Sequence, residues 1–421
     1  MTAESTQNKG VMGQILQPWR ILALVILAFG LVATIRRFAL GLGASTNLTD
    51  EYPWGLWISF DVLCGVGLAG GGFTLAAIVY VFRLDKYRPL ARPAVMTAFI
   101  GYLLVVGGLL FDIGLPWRLW HPMVMWNHHS VMFEVAWCVM LYTTVLAAEV
   151  SAMVFERLKM ARAAHIAHMF TLPLSIAAVC LSMLHQSSLG TVFLLMPGRL
   201  HELWYTPVLP FLYFISAIGV GLSMTIVEST LSSRSFGRCI EAKVLQGVAR
   251  IGVYVYAAYV TLRLGDMAIR GQLHHVLDFD RASFFFLVEI SFGFIVPMLL
   301  YMAPKVRRNT RWLYHAAQLA VFGFIVNRMN VGITGFEVVD GTSYVPSWEE
   351  IAVTLSLVTV GVIMFNLAGR FLPVFEAEAE DEVAAEVFAA RERELQGAGG
   401  TLPRGAMPAV PTADDPVGRR E

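Results

Sequence analysis

The chain has 421 residues, 57% of them apolar and only 15% charged, with a mean hydropathy of +0.62. A soluble domain carries nearer a quarter of charged residues, so this composition excludes an ordinary cytosolic enzyme, a disordered chain and a nucleic-acid binder, and points to lipid as the solvent. The 31 basic and 31 acidic residues cancel, but unevenly: the stretch from Glu376 onward holds 11 acids and 5 bases, which leaves 20 acids and 26 bases on residues 1–375.

A membrane helix needs about 20 predominantly apolar residues to cross about 30 Å of hydrocarbon. Ten such runs stand at residues 19–43, 54–82, 93–115, 130–154, 164–186, 207–230, 247–264, 282–302, 312–327 and 351–372. The expected fold is all-α: a polytopic membrane bundle of about ten transmembrane helices, with both termini cytoplasmic. Residues 1–18 form the N-terminus, 19–375 the membrane domain and 376–421 a tail.

The first run follows Lys9 and Arg20 as a signal peptide would, but it continues through Arg36 and Arg37 without an A-x-A cleavage site and reads as a span. Arg36 and Arg37, near its far end, either snorkel to the interface or face an outer redox site. In the second run Gly65-x-Gly67-x-x-Gly70 satisfies the dinucleotide-binding pattern, yet no strand precedes it and no helix begins after it. With Gly71 and Gly72 it reads as a face for close helix packing.

The loops at 115–129, 187–206, 263–281 and 328–350 are long and rich in Trp, His, Tyr and Pro. They suit the docking of a partner subunit, although part of their aromatic content is the usual interfacial belt. His128-His129 and His165/His168 have no further ligands beside them to make a metal site. Cys64, Cys138, Cys180 and Cys239 are too scattered for a disulfide framework, a zinc site or an iron–sulfur cluster. Ser347-Trp348-Glu349-Glu350 reads as a capping box for the last span. Past Phe375 the chain is acidic, then Gly/Pro/Ala-rich, and is expected to be a solvated, mostly disordered cytoplasmic tail.

Loops after the even-numbered spans carry fourteen Lys/Arg, whereas the five odd loops carry six: Arg118, Arg199, Arg263, Arg270, Arg281 and Arg328. The positive-inside rule then puts the even loops and both termini in the cytoplasm and the long aromatic loops outside.

Carboxylates inside a bilayer cost several kcal/mol unless paired, hydrated or protonated. Six lie within the expected spans: Asp61, Asp112, Glu134, Glu149, Glu228 and Glu289. At about 1.5 Å per residue, Asp61, Asp112, Glu134 and Glu289 fall in the outer third and Glu149 and Glu228 in the inner third. Glu134 and Glu149 share one helix about 22 Å apart, the geometry of a proton path. His185-Gln186-Ser187-Ser188-Leu189-Gly190 closes the fifth run on the outer side, where an imidazole beside carboxylates can bond a quinone carbonyl and pass on its proton. A structural histidine with a satisfied partner is the competing reading of His185. Trp57, one turn before Asp61 on the same face, suits the wall of such a site. No histidine falls at mid-span, so haem has no matched axial pair.

Several stretches resemble the NrfD-type, polysulfide-reductase-like integral membrane subunits, and within them the HybB-like subunit of nickel-iron hydrogenases. They are P-W-G-L-W-I-S-F-D (Pro53 to Asp61) with the glycine run after it, S-V-M-F-E (Ser130 to Glu134), Glu149, H-Q-S-S-L-G (His185 to Gly190), Glu228, R-L-G-D (Arg263 to Asp266), Glu289 and P-S-W-E-E (Pro346 to Glu350). They keep order and spacing from about residue 40 to 373.

The resemblance implies a membrane anchor and quinone-reactive subunit in a bacterial cytoplasmic membrane, binding menaquinone or ubiquinone but no haem or iron–sulfur cluster. It also implies an extracytoplasmic four-cluster iron–sulfur partner wired to hydrogenase large and small subunits. Quinone is expected at Trp57, Asp61 and His185, and proton transfer at Glu134, Glu149 and Glu228 with Asp112 and Glu289. Asp266 and the acidic tail depart from the family pattern, and no role is carried onto them. The competing readings are an NrfD-type subunit of a molybdopterin oxidoreductase, a haem b quinol oxidoreductase subunit and a proton-coupled transporter.

Overall fold

A computed structural model describes residues 18–375, except Glu51, residues 237–241, Thr342 and the side chains of Val338 and Asp340. The expected N-terminus and tail, with Lys9, Arg238 and Cys239, lie outside the described residues. Every regular element described is helical, and nine helices are long and apolar enough to cross a membrane. Helices are the open-chain solution in lipid, because each satisfies its own backbone hydrogen bonds.

Helix α1 is Pro18–Leu40. It is followed by α2, Trp57–Val81, α3, Ala91–Asp112, and α4, Val131–Arg157. A short α5, Ala161–Met169, precedes α6, Thr171–Leu194. Then come α7, Leu209–Phe236, α8, Ala242–Ile269, and α9, Arg281–Met302. Helix α10 runs Thr310–Met329 and continues through Asn330–Thr334 and Gly335–Asp340, and α11 is Trp348–Phe371.

The nine crossing helices match nine of the expected spans. The remaining one is α8, which has the length to cross but carries Arg250, Arg263 and Asp266, and so falls short in apolar character. It packs between α7 and α9, burying Leu245, Val248, Ala249, Gly252, Tyr256 and Tyr259.

Caps define the starts. Ser130 accepts the Phe133 N–H at 3.3 Å, Asp280 the Ser283 N–H at 2.8 Å and Asn309 the Arg311 N–H at 3.0 Å. The expected capping box is present: Ser347 Oγ accepts from the Glu350 N–H at 3.1 Å, and Glu350 accepts the Ser347 N–H at 2.8 Å.

Two expected boundaries were wrong. The fifth run divides at Phe170 into α5 and α6, and α6 continues to Leu194. Gly190 does not end the helix; a Cβ there would lie 2.8 Å from Pro210 Cα, so the glycine admits the start of α7. The ninth run does not stop at Asn327 either, since α10 continues into Arg328 and beyond. Arg328, and likewise Arg263 in α8, which runs on to Ile269, were both assigned to loops and are instead buried within helices at 1% and 2% exposure.

Glycine contacts set the closest crossings. A Cβ on Gly221 of α7 would lie 2.6 Å from the carbonyl carbon of Gly70, so the glycine run of α2 is a packing face. Gly293 and Gly323 let α9 and α10 touch backbone to backbone. Wide turns with i→i+5 bonding occur at Trp57–Cys64 and Ala77–Val81 in α2, Ser291–Ile295 in α9 and Asn330–Thr334 in α10. Such turns displace the helix face by one residue and mark functional positions often. Asp61 and Asn330 lie in them, and Glu289 stands just before one.

Candidate functional site

Six of the eight candidate residues gather in three places. At the corner of α2, α3 and α11, Thr354 Oγ1 donates to Asp61 Oδ2 at 2.7 Å, and the Trp57 indole N–H donates to the Glu350 carbonyl at 3.2 Å. Residues 350 and 354 are one turn apart on α11, so Trp57 and Asp61 share a face, as the sequence spacing implied. Trp57 is 1% exposed and its ring stands 5.8 Å from that of Phe111. Asp112 ends α3 within electrostatic reach of Arg37 and Glu350, and its buried Oδ1 has no hydrogen-bond partner.

Arg36 and Arg37 of α1 have structural partners here. Arg37 donates to the Phe111 and Ile113 carbonyls at 2.7 and 2.9 Å, capping the C-terminus of α3. Arg36 pairs with Glu349 at 3.0 Å.

The second place is the interface of α3, α4 and α6. The Tyr102 hydroxyl lies 2.8 Å from His185 Nδ1, and the Tyr102 and Tyr142 rings meet edge-on at 4.4 Å. Ser175 Oγ donates to Glu149 Oε1 at 2.8 Å. Gln186 Nε2 donates to the Val66 carbonyl at 3.2 Å.

Because α6 runs on to Leu194, His185 lies inside the bundle rather than at its outer rim. Tyr102 is six residues before Gly108, the residue that abuts Asp61. That is about 9 Å down α3 and on another face. Among the described residues no hydrogen bond or ring contact joins His185 to Trp57 or Asp61, so the three expected quinone ligands occupy two places.

The third place is the core of α7 to α10. Glu289, wholly buried, accepts from Asn327 Nδ2 at 2.7 Å, Asn330 Nδ2 at 2.8 Å and the Trp204 indole at 2.8 Å. Arg328 donates to Asn327 Oδ1 at 2.6 Å and to Ser216 Oγ at 2.9 Å, and its guanidinium lies 3.7 Å over the Tyr213 ring. Arg263 donates to the Leu203 carbonyl. Of these only Glu289 and Arg263 stood out in the sequence. The N-R-M-N string after the ninth apolar run was the signal for Asn327, Arg328 and Asn330.

Glu134 and Glu228 stand apart from all three. Glu134 is half-buried in the first turn of α4, its N–H bonded to the Ser130 carbonyl at 3.1 Å. Glu228 of α7 is buried, with the Thr97 hydroxyl of α3 beside it but no well-formed hydrogen bond.

Outside the spans, the 201–205 and 271–280 segments form an imidazole–carboxylate cluster. His275 bonds Asp278 at 2.8 Å and Glu202 at 3.2 Å, and its ring lies 5.5 Å from that of His201. The Asp278 bond, with that to Glu202, holds the His275 imidazole above its ordinary range, while burial and then the His275 charge push His201 down. Among the described residues no three His, Cys, Asp or Glu side chains come together as a metal site.

The sequence profile described as polysulphide reductase, NrfD, matches residues 44–340. Among curated proteins, one from Nitratidesulfovibrio vulgaris is 36% identical over 379 residues, covering 87% of this chain and 97% of its own. The probable Ni/Fe-hydrogenase 2 b-type cytochrome subunit of Escherichia coli is 29% identical, with coverage of 84% and 93%. The menaquinone reductase integral membrane subunit of Nitratidesulfovibrio vulgaris is 30% identical, with coverage of 86% and 92%.

Proposed function

Because this chain belongs to the polysulphide reductase NrfD family, we propose that it is the membrane anchor and quinone-reactive subunit of a respiratory nickel-iron hydrogenase. An iron–sulfur subunit docks on the aromatic loops, on the extracytoplasmic side, and passes electrons to menaquinone or ubiquinone. The observation that carries this reading is the corner of Trp57, Asp61 and Asp112, where the buried carboxyl of Asp61 and the half-buried one of Asp112 stand beside an aromatic wall near the ends of α2 and α3. A bound quinone would supply two-electron, two-proton chemistry there.

Trp57 and Phe111 give the ring an apolar wall, and Asp61 and Asp112 stand where its oxygens need protons. Glu134 serves the outer side, and Glu149 and Glu228 lead toward the cytoplasm. The name of the Escherichia coli relative raises haem b, and the described residues do not fit it. His185 is the single fully buried histidine among them, so no second buried imidazole stands opposite it as an axial partner.

The resemblance to a menaquinone reductase subunit at similar identity supports a second reading, in which the catalytic partner is another oxidoreductase. Copurification with mass-spectrometric identification separates the two: hydrogenase subunits are expected, and a molybdopterin enzyme in their place overturns the hydrogenase assignment. In the purified complex, Glu134→Gln is expected to abolish quinone-linked H2 oxidation while dye-linked activity survives. Unchanged quinone coupling removes Glu134 from the proton route.

A further inference from the structure

The core of α7 to α10 buries two arginines beside one acid: Arg263 and Arg328 are 2% and 1% exposed, and Glu289 is wholly buried. A charge is tolerated in such a core only when an opposite charge and hydrogen bonds compensate it. Glu289 can balance one arginine, and its oxygens are already taken by Trp204, Asn327 and Asn330. Among the described residues neither arginine is in an ion pair with a carboxylate. Their hydrogen bonds go to neutral oxygens: the carbonyls of Leu203 and Tyr213, Asn327 Oδ1 and Ser216 Oγ.

The other ionisable groups of these helices do not supply the missing charge. Glu337 pairs with Arg281 at 2.6 Å and Asp266 with Arg270 at 2.9 Å, while Glu228 stands beside Thr97 of α3. Cys64 of α2, a neighbour of Arg328, keeps its thiol proton on the Ser59 carbonyl at 3.3 Å.

Four donor atoms, by contrast, are buried without an acceptor: Arg263 Nε and Nη1, Arg328 Nε and the Tyr213 hydroxyl. Buried polar atoms in proteins are paired in the great majority. Helical spacing gathers these four, since Tyr259 and Arg263 are one turn apart on α8, Tyr213 and Ser216 on α7, and Phe324 and Arg328 on α10. The Tyr213 hydroxyl and both guanidinium groups come within electrostatic reach of the Tyr259 hydroxyl and of Glu289. Water accepts such hydrogen bonds but brings no charge; an anion does both.

We propose that the core of α7 to α10 binds one monovalent inorganic anion of the size of chloride, held by Arg263, Arg328 and the Tyr213 hydroxyl. Two bases against one acid leave a single positive charge to neutralise, which sets the valence. The unused groups are all donors, which sets the sign. The walls set the size: the Phe286 ring lies 5.5 Å from the Arg263 guanidinium and the Phe324 ring 4.4 Å from that of Arg328, and α9 and α10 meet backbone to backbone at Gly293 and Gly323. Such close packing favours a monatomic ion over a phosphate. The site lies in other helices than the Trp57–Asp61 corner and stands independently of the quinone reading.

The test uses the whole complex, produced, purified and crystallised with bromide in place of chloride. One anomalous bromide peak is expected between Arg263 and Arg328. Arg263→Met keeps an unbranched chain, removes the unpaired donors and leaves Arg328 balanced by Glu289, so the peak is expected to vanish in it. In detergent solution, replacing gluconate by chloride at constant ionic strength is expected to raise the thermal midpoint of the wild type along a saturable curve, and to leave that of Arg263→Met unchanged.

Density at the site without anomalous signal is water and overturns the proposal, as do bromide ions found only on the surface. A peak that persists in Arg263→Met removes that arginine from the site. If Arg263→Met does not assemble, the wild-type bromide peak decides.

Discussion

Asn327 stands between two buried charges: its Nδ2 donates to Glu289 at 2.7 Å, and its Oδ1 accepts from Arg328 at 2.6 Å. One amide thus uses both of its ends to connect opposite charges that do not touch. Removing one member of such a network leaves a buried charge partly unpaired, a loss of about 3–5 kcal/mol. Asn327→Leu, close in volume but without polar atoms, is therefore expected to lower the thermal midpoint of the detergent-solubilised complex steeply. Asn327→Asp removes the donor to Glu289 and brings a second carboxyl beside it, so it is expected to fare no better. A wild-type midpoint in either variant removes the network from the stability of the core.

The glycine contacts divide substitutions sharply. Gly221→Val sets branched carbons where the α2 backbone already lies 2.6 Å from an ideal Cβ. It is expected to prevent accumulation of folded protein, because backbone cannot yield as a side chain can. Gly265 of α8 has nothing within 4 Å of its Cβ position, so Gly265→Ala is expected to stabilise by about 0.5–1 kcal/mol through helix propensity. Quantifying the membrane-inserted protein and its thermal midpoint checks both.

The loop cluster supplies a pH dependence. His275 titrates above its ordinary value because Asp278 and Glu202 favour its charged form. Its contribution to loop order is complete below about 6.5, the unfolded-chain value, and fades as pH rises through the higher folded value. His201, His274 and Asp280 face the same cluster, and the lowered His201 remains neutral over that window. Amide hydrogen exchange in residues 271–280, corrected for the intrinsic pH effect, is expected to quicken above neutrality, and His275→Gln to be equally fast at low pH. Exchange independent of pH in the wild type contradicts this assignment.

Much of the fold was legible because lipid imposes a one-dimensional rule: a long apolar run becomes a helix wherever it occurs. Nine of the ten expected spans meet that rule, and their ends follow caps such as Ser130 and Ser347. The errors fell where a polar or glycine-containing string continues a helix inside the bundle. H-Q-S-S-L-G resembled a terminus, and N-R-M-N resembled the start of a loop, because sequence hydropathy does not tell water from a polar partner on a neighbouring helix.

The sequence by itself determined the solvent, the class of fold and the six intramembrane acids, since composition and span length depend only on local chemistry. It did not determine which acids act together. Trp57 and Asp61 came out on one face because four residues make about one turn. The separation of His185 from them, its bond to Tyr102, and the enclosure of Glu289 by Trp204, Asn327 and Asn330 came from the tertiary structure alone. Those partners are 85, 38 and 41 residues from Glu289 in the chain. Only helix packing, with glycine backbones in contact and wide turns displacing each face by a residue, brings them within hydrogen-bond reach.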